Sequence, residues 1–237
     1  TWGATLLAGS YSSANPSESD WPNASLNGFI DNVAQLAVMT SVAQYTFAPV
    51  LRPDQAVAWE TFAFNLWDGD PQIEGGRAYL PTGQRGIWQF DPSIPFPGSI
   101  FLDDKSGDTV WGDSDTLRIL LPITQSLVPE ILGINDFPTP FIGPLAEKSL
   151  LCAAARNIRA VRSQCDAVLP PLALPAPNPA IPSPAETIGY QTVIISPIAI
   201  VADDGSTKAV GEIGAAFDWS ELLADTVPSF VGEMDIV

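Results

Sequence analysis

The residues best suited to chemistry gather between Gly86 and Asp115. Trp88, Phe90, Phe96 and Phe101 supply apolar walls, and Asp91, Asp103, Asp104 and Asp108 supply hydrogen-bond acceptors. Apolar walls with a few polar groups that fix orientation are what a small-molecule pocket requires. Trp88, Phe90, Phe101 and Asp103 are therefore the candidate ligand-binding residues. The same aspartates could group around calcium, which takes clustered carboxylate and carbonyl oxygens. The EF-hand spacing is absent, however, and no glutamate closes the loop, so no metal site and no cofactor is assigned.

The chain contains no histidine. This excludes Ser-His-Asp and Cys-His nucleophilic catalysis and nearly every common zinc or iron centre. Two cysteines cannot form a four-thiolate site. Catalysis would have to rest on carboxylates, lysine or tyrosine, for instance paired carboxylates acting on a glycoside. The seven tryptophans are more simply core than sugar platforms, and the chain is expected not to be an enzyme.

Cys152 and Cys165 flank AAARNIRAVRSQ, a run with helical character. A continuous helix would hold them about 20 Å apart at roughly 1.5 Å per residue, beyond disulfide reach. A bond between them therefore requires the chain to fold back, with Cys165 past the helix end; the alternative is a pair of buried free thiols. Asn23-Ala24-Ser25 is an N-glycosylation sequon, which makes Asn23 a candidate acceptor. Disulfide and sequon both suit an extracellular or cell-surface location.

Twenty-seven acidic residues against ten basic ones give a net charge of −17. Such a surface repels phosphate backbones and anionic lipids, which disfavours nucleic acid and membrane-surface partners. Four basic residues, Lys148, Arg156, Arg159 and Arg162, lie close together, and a solvated helix face accounts for them. No run approaches the roughly 20 apolar residues of a membrane helix, so this segment is not expected to insert into a membrane.

These residues need a frame to hold them. Tyr11 to Asp20, rich in Ser, Asn and Pro, reads as loop. Leu26 to Tyr45 is an amphipathic helix, with Phe29, Ile30, Val33, Leu36, Ala37 and Thr40 at helical spacing. Val42 to Leu51 is β-like, and DQAVAWETFAFNLW after Pro53 is a second helix. Short strands separated by Gly, Pro and Asp follow up to Asp115, and Ile123 to Phe141 is ambiguous between strand and helix. Leu145 to Val168 is the best helix of the second half. Pro170 to Pro184 contains seven prolines and must be extended, most simply as a crossover packed within the domain, with a hinge between lobes or packing against a partner as the alternatives. Tyr190 to Ile200 and Val210 to Phe217 are β runs joined by Asp203-Asp204-Gly205-Ser206, a hairpin signature with a break at Pro197. Asp218 caps a helix running from Trp219 to Val227, and Glu233 to Val237 is a last candidate strand. The pattern is α+β, an antiparallel sheet flanked by helices. Residues 1–237 form one domain, with candidate lobes at 20–145 and 146–237 and a proline-rich crossover at 170–184.

Two blocks resemble CHASE-type ectodomains. The first runs from the helix at Phe29 through Ala48-Pro49-Val50 and Arg52 to Trp59-Glu60-Thr61-Phe62. The second joins Ile195-Ser196-Pro197-Ile198, the acidic turn, Val210-Gly211-Glu212-Ile213-Gly214-Ala215-Ala216-Phe217-Asp218 and Leu222-Leu223. The ending WSELLADTVPSFVGEMDIV is similar to the close of ectodomains on receptor-type nucleotide cyclases and kinases of algae and protists. The blocks cover roughly a third of the chain. The resemblance implies a PAS-like, dCache-related extracellular sensor, preceded by a long helix and bracketed by membrane helices. The long helix is missing or truncated in this chain, and the proline-rich stretch is not a family feature. The loop Leu102-Asp103-Asp104-Lys105-Ser106-Gly107 resembles the ligand loop of cytokinin-type CHASE sensors, which implies that Asp103 holds the ligand.

The expectation is a non-catalytic sensory domain of a membrane receptor. Its partners would be a small-molecule ligand and either a second copy of itself or other extracellular chains. The alternative is a structural or adhesion module of an extracellular filament or cell-surface assembly.

Overall fold

The computed structural model describes residues 2–40, 42–69, 86–90, 99–101, 119–127, 131–135, 142–158, 161, 164–169, 172–175 and 188–218. At its centre is a long ribbon. Strand β7 (Ile188–Val201) pairs antiparallel with β8 (Thr207–Asp218) through Ala202–Ser206. Gly205 has φ +82° in this turn, a conformation that glycine adopts without Cβ strain. The Ser206 amide donates to Asp204 Oδ1 at 2.8 Å, and the Ala202 amide to the Ser206 carbonyl at 2.8 Å.

Strand β1 (Gln44–Pro49) pairs with the other edge of β8, and β4 (Gln125–Ser126) pairs with β1. On the far side of β7, β5 (Ala167–Val168) and β6 (Leu172–Pro175) pair at successive positions. The sheet order is β4-β1-β8-β7-β5, with β6 also on β7, and every pairing is antiparallel. Strands from both sides of residue 145 thus share one sheet. A separate two-stranded hairpin joins β2 (Trp88–Phe90) to β3 (Ser99–Phe101).

Alternation along the strands sends side chains to two faces, and both faces are covered. Helices α1 (Trp2–Ala14) and α2 (Phe29–Thr40) take one face. Leu7, Tyr11, Phe29, Val33 and Leu36 pack there on Tyr45, Phe47, Ile194, Ile198 and Ile213. Tyr11 stacks on Phe47 with ring centroids 4.0 Å apart. Helix α4 (Gly143–Ala154) lies on the opposite face, where Ala146 and Leu150 meet Ala48, Ile119 and Leu121. Helix α3 (Ala56–Asp68) builds a satellite core of Trp59, Ala63 and Trp67 with Leu51, Ile87, Leu120 and Leu132. The α+β class and the helix-flanked antiparallel sheet are as the sequence predicts.

Three boundaries differ from the sequence expectation. Tyr11 to Ala14 is helix, the last turn of α1, and the loop character begins after it. Ala4, Leu7, Ala8 and Tyr11 form the buried stripe of this helix, which its Gly, Ser and Thr content disguises. Helix α2 stops at Thr40, because Gln44 to Pro49 are taken up by pairing with β8. Helix α4 stops at Ala154 rather than continuing to Val168. The chain turns back there, and Ala167 and Val168 join the sheet.

That turn lets Cys152 and Cys165 bond, with Cα atoms 5.4 Å apart. Cys165 lies past the end of α4, as a bonded pair demands. Strand β7 passes unbroken through Pro197, with its irregularity one residue later, between Ile198 and Ala199. Leu172–Pro175, inside the proline-rich stretch, forms β6. The expected helix at 219–227 and the strand at 233–237 lie outside the described residues, as does the rest of the proline-rich stretch.

Buried polar side chains fasten residues 119–127 to the rest of the fold. Gln125 accepts from the Tyr11 hydroxyl and brackets Leu26, accepting from its amide at 2.9 Å and donating to its carbonyl at 3.1 Å. Trp59 donates to Thr124 Oγ1 at 3.1 Å, and Trp67 to the Thr124 carbonyl at 2.8 Å. Asn135 Oδ1 accepts from the Leu121 amide at 2.8 Å.

The disulfide closes a loop with a sequence separation of 13, for which the chain-entropy account gives about 3 kcal/mol. Cys152→Ser is therefore expected to lower unfolding free energy by about that amount in a denaturant titration. Alkylation under denaturing, non-reducing conditions should find no thiol in the wild type. Free thiols there would contradict the bond.

Candidate ligand cleft

The β7–β8 ribbon is longer than its partner β1. The β1 pairing ends at Pro49 opposite Gly211, with one further bond from the Val50 amide to the Val210 carbonyl at 2.9 Å. The hairpin tip therefore overhangs the sheet and forms one wall of an open cleft of about 890 Å3. The opposite wall is the solvent-side end of α4, with Leu150, Leu151 and Ala154, together with Ile119. Trp21 and Pro22, after the 3-10 turn Glu18–Asp20, line it from a third side, with Arg52 and Gln55 from the chain beyond β1. Its volume lies in the range of small-molecule sites, roughly 300–1,000 Å3.

Charge is distributed unevenly around this cleft. Lys208 on the hairpin pairs with Glu18 on the 3-10 turn and ties the hairpin to that turn. The hydrogen bond from Lys208 holds the Glu18 carboxyl below its ordinary pKa, aided by the charge of the ammonium. Arg52 makes a two-pronged pair with Asp54, at 3.0 and 3.1 Å. That pair lowers the Asp54 pKa and raises that of Arg52. Both cations that line the cleft are thus engaged by carboxylates, while Asp203 and Asp204 stand on the rim. Hydrogen bonds from Ser206 lower the Asp204 pKa. Apolar walls with an acidic rim suit a ligand that has an apolar body and donor groups.

Trp88, picked out by sequence, lies elsewhere. Trp88 is buried at 7% exposure, and its indole N–H donates to the Leu132 carbonyl at 3.0 Å. Gly133 packs against it: a Cβ at this position (φ +85°) would lie 2.6 Å from the Gly86 carbonyl oxygen and 3.3 Å from the indole. Trp88 is a packed residue that anchors the β2–β3 hairpin and does not line the cleft. Phe101 is the Cα partner of Trp88, and Phe90 is the partner of Ser99, so one hairpin brings Trp88, Phe90 and Phe101 together. Asp103 lies outside the described residues, as do Asp91, Phe96, Asp104, Asp108 and Asp113 to Asp115.

Asn23 is exposed and follows the cleft residues Trp21 and Pro22 directly, a position open to modification. Lys148 and Arg156 are exposed on and just after α4, and Arg156 donates to Gln164. Arg159 and Arg162 lie outside the described residues. Sequence reasoning missed Glu60, which is buried and accepts from the Ile87 amide at 3.0 Å. Its signal is a charged residue on the apolar face of a helix, beside Trp59 and Ala63.

Among the described residues no group of three or more Cys, Asp and Glu could hold a metal ion. None of their helices is long and apolar enough to cross a membrane.

Removing the Lys208 ammonium in Lys208→Ala should raise the Glu18 pKa toward the ordinary glutamate range, read by NMR titration of the side-chain carboxyl. A depressed pKa stabilises the fold above the unfolded value, and that contribution is lost as pH falls through the folded one. Both groups are exposed, so the stability change should be small. An unmoved Glu18 titration would show that Lys208 does not hold it.

Compared with known proteins, the chain matches no family model and no curated protein sequence.

Proposed function

We propose that this chain is an extracellular sensory domain of CHASE-like type that binds a small ligand and is not itself catalytic. The observation that carries the proposal is the cleft of about 890 Å3 beneath the overhanging hairpin, with its apolar walls and acidic rim. The disulfide supports an oxidising compartment, and exposed Asn23 supports glycosylation there. The antiparallel sheet flanked by helices agrees with a PAS-like architecture. Under this proposal the ligand sits in the cleft, and Asp103, implied by the resemblance, is the second position assigned to ligand recognition. A flanking membrane helix and a signalling domain belong to the same proposal.

A structural or adhesion module is the competing reading, favoured by apolar side chains left in solvent on two neighbouring helices. Trp2 and Leu6 on α1 and Val38 and Met39 on α2 are 64%, 49%, 85% and 74% exposed.

A thermal-shift screen of nucleobases, amines and amino acids separates the two. A ligand at one hundred times its dissociation constant stabilises the folded state by about 2.7 kcal/mol, a readily measured rise in Tm. Ala154→Trp, which places an indole on the cleft wall, should abolish the shift, and Asp103→Ala should weaken or abolish it. A hit that is unaffected by Ala154→Trp would remove the cleft from the site. A screen without hits would favour the structural module.

A further inference from the structure

Between α1 and β7, away from the ligand cleft, lies a small cavity of about 10 Å3. By this measure that is room for one water molecule and little more. Four polar side chains interrupt an otherwise apolar lining: Thr5 and Ser12 from α1, Ser196 from β7 and Asp166 from the chain just past Cys165. Ser196 is 1% exposed, and its hydroxyl hydrogen-bonds to no protein atom. A buried hydroxyl without a partner costs roughly 1–3 kcal/mol, which is why such groups nearly always find one.

The neighbouring groups show what the partner must be. Thr5 donates its proton to Asp166 Oδ2 at 3.0 Å, and Ser12 donates to the Ala199 carbonyl at 2.9 Å. Both hydroxyls have committed their protons and can only accept further, and a carboxylate accepts only. The cavity is therefore rich in acceptors and offers one donor, Ser196. Its occupant must donate to the acceptors and accept from Ser196, within the volume of a single small molecule.

We propose that this cavity is a binding site for one structural water molecule. The water accepts from Ser196 Oγ and donates toward Asp166 and an α1 hydroxyl. It links three parts of the fold that are distant in sequence: the first helix, the central strand and the segment that follows the disulfide.

NMR cross-relaxation between water and the amides of Ser196 and Asp166 in the intact, oxidised chain tests this. A water that stays bound longer than the molecule takes to tumble should give a cross-peak of the bound sign in the wild type. The peak should vanish in Ser196→Val, which fills the cavity and removes the donor, while the rest of the spectrum is retained. If Ser196→Val does not fold, Ser196→Ala should weaken the peak several-fold. Absence of the peak from the wild type would overturn the proposal, as would its unchanged persistence in either folded variant. So would anomalous scattering from a thallium-soaked crystal that places a cation in the cavity instead.

Discussion

The pairing of β7 with β8 is the constraint on which the rest of the structure depends. Both strands are long, and they are central in the sheet. A two-stranded ribbon alone is marginal in water; its stability comes from what covers it. Ile194, Ile198 and Ile213 sit under α1 and α2, while Val193, Ile195 and Ala216 face the other layer near Ala167 and α4. A shift of one residue in register would exchange these two sets of side chains, so the two cores and the ribbon fix one another. Strand β1 joins this ribbon from far along the chain, as in the pairing of Tyr45 with Ala215.

Polar groups complete what apolar burial leaves undirected. Gln125 closes on both backbone groups of Leu26 in the manner of a neighbouring strand, and so locks the short β4 to the loop before α2. The Tyr11 hydroxyl reaches the same side chain from α1, and burial raises its pKa well above the ordinary tyrosine value of 10.0. The disulfide works similarly on the opposite face. It holds the turn after α4, beyond which Ala167 pairs with Ile195, and Ser149 secures the turn by donating to the Cys165 carbonyl at 2.9 Å.

What the sequence made legible follows from where local and tertiary preferences agree. The hairpin was plain because two β-branched runs flank a turn whose Asp and Gly have local mechanisms, and α2 and α3 were plain because their buried residues recur at helical spacing. Helix α1 was hidden because its buried stripe is mostly Ala and Tyr, set in Gly, Ser and Thr that favour turns in isolation; packing against β7 decides its state. The overlong α4 has the opposite cause. AAARNIRAVRSQ is locally helical, but the helix ends at Ala154, and the turn that follows brings Cys165 within bonding distance of Cys152. The cleft was illegible for a geometric reason. It arises because β8 outruns β1, a difference in strand length that depends on pairing and leaves no mark in residue type. Aromaticity marks Trp88 equally for a pocket wall and for packing, and its indole N–H is bonded to the Leu132 carbonyl in the interior.

To wall the cleft, the ribbon must be stable enough to project past its neighbour. Native-state hydrogen exchange measures this most directly, since amides opened only by global unfolding identify the most stable unit. The amides of Ile194 to Ser196 and Ile213 to Ala215 should be the slowest in the chain, and those of the Ala202–Ser206 turn among the fastest. Amides of α1 or α3 that remain protected after those of the ribbon have exchanged would contradict the account.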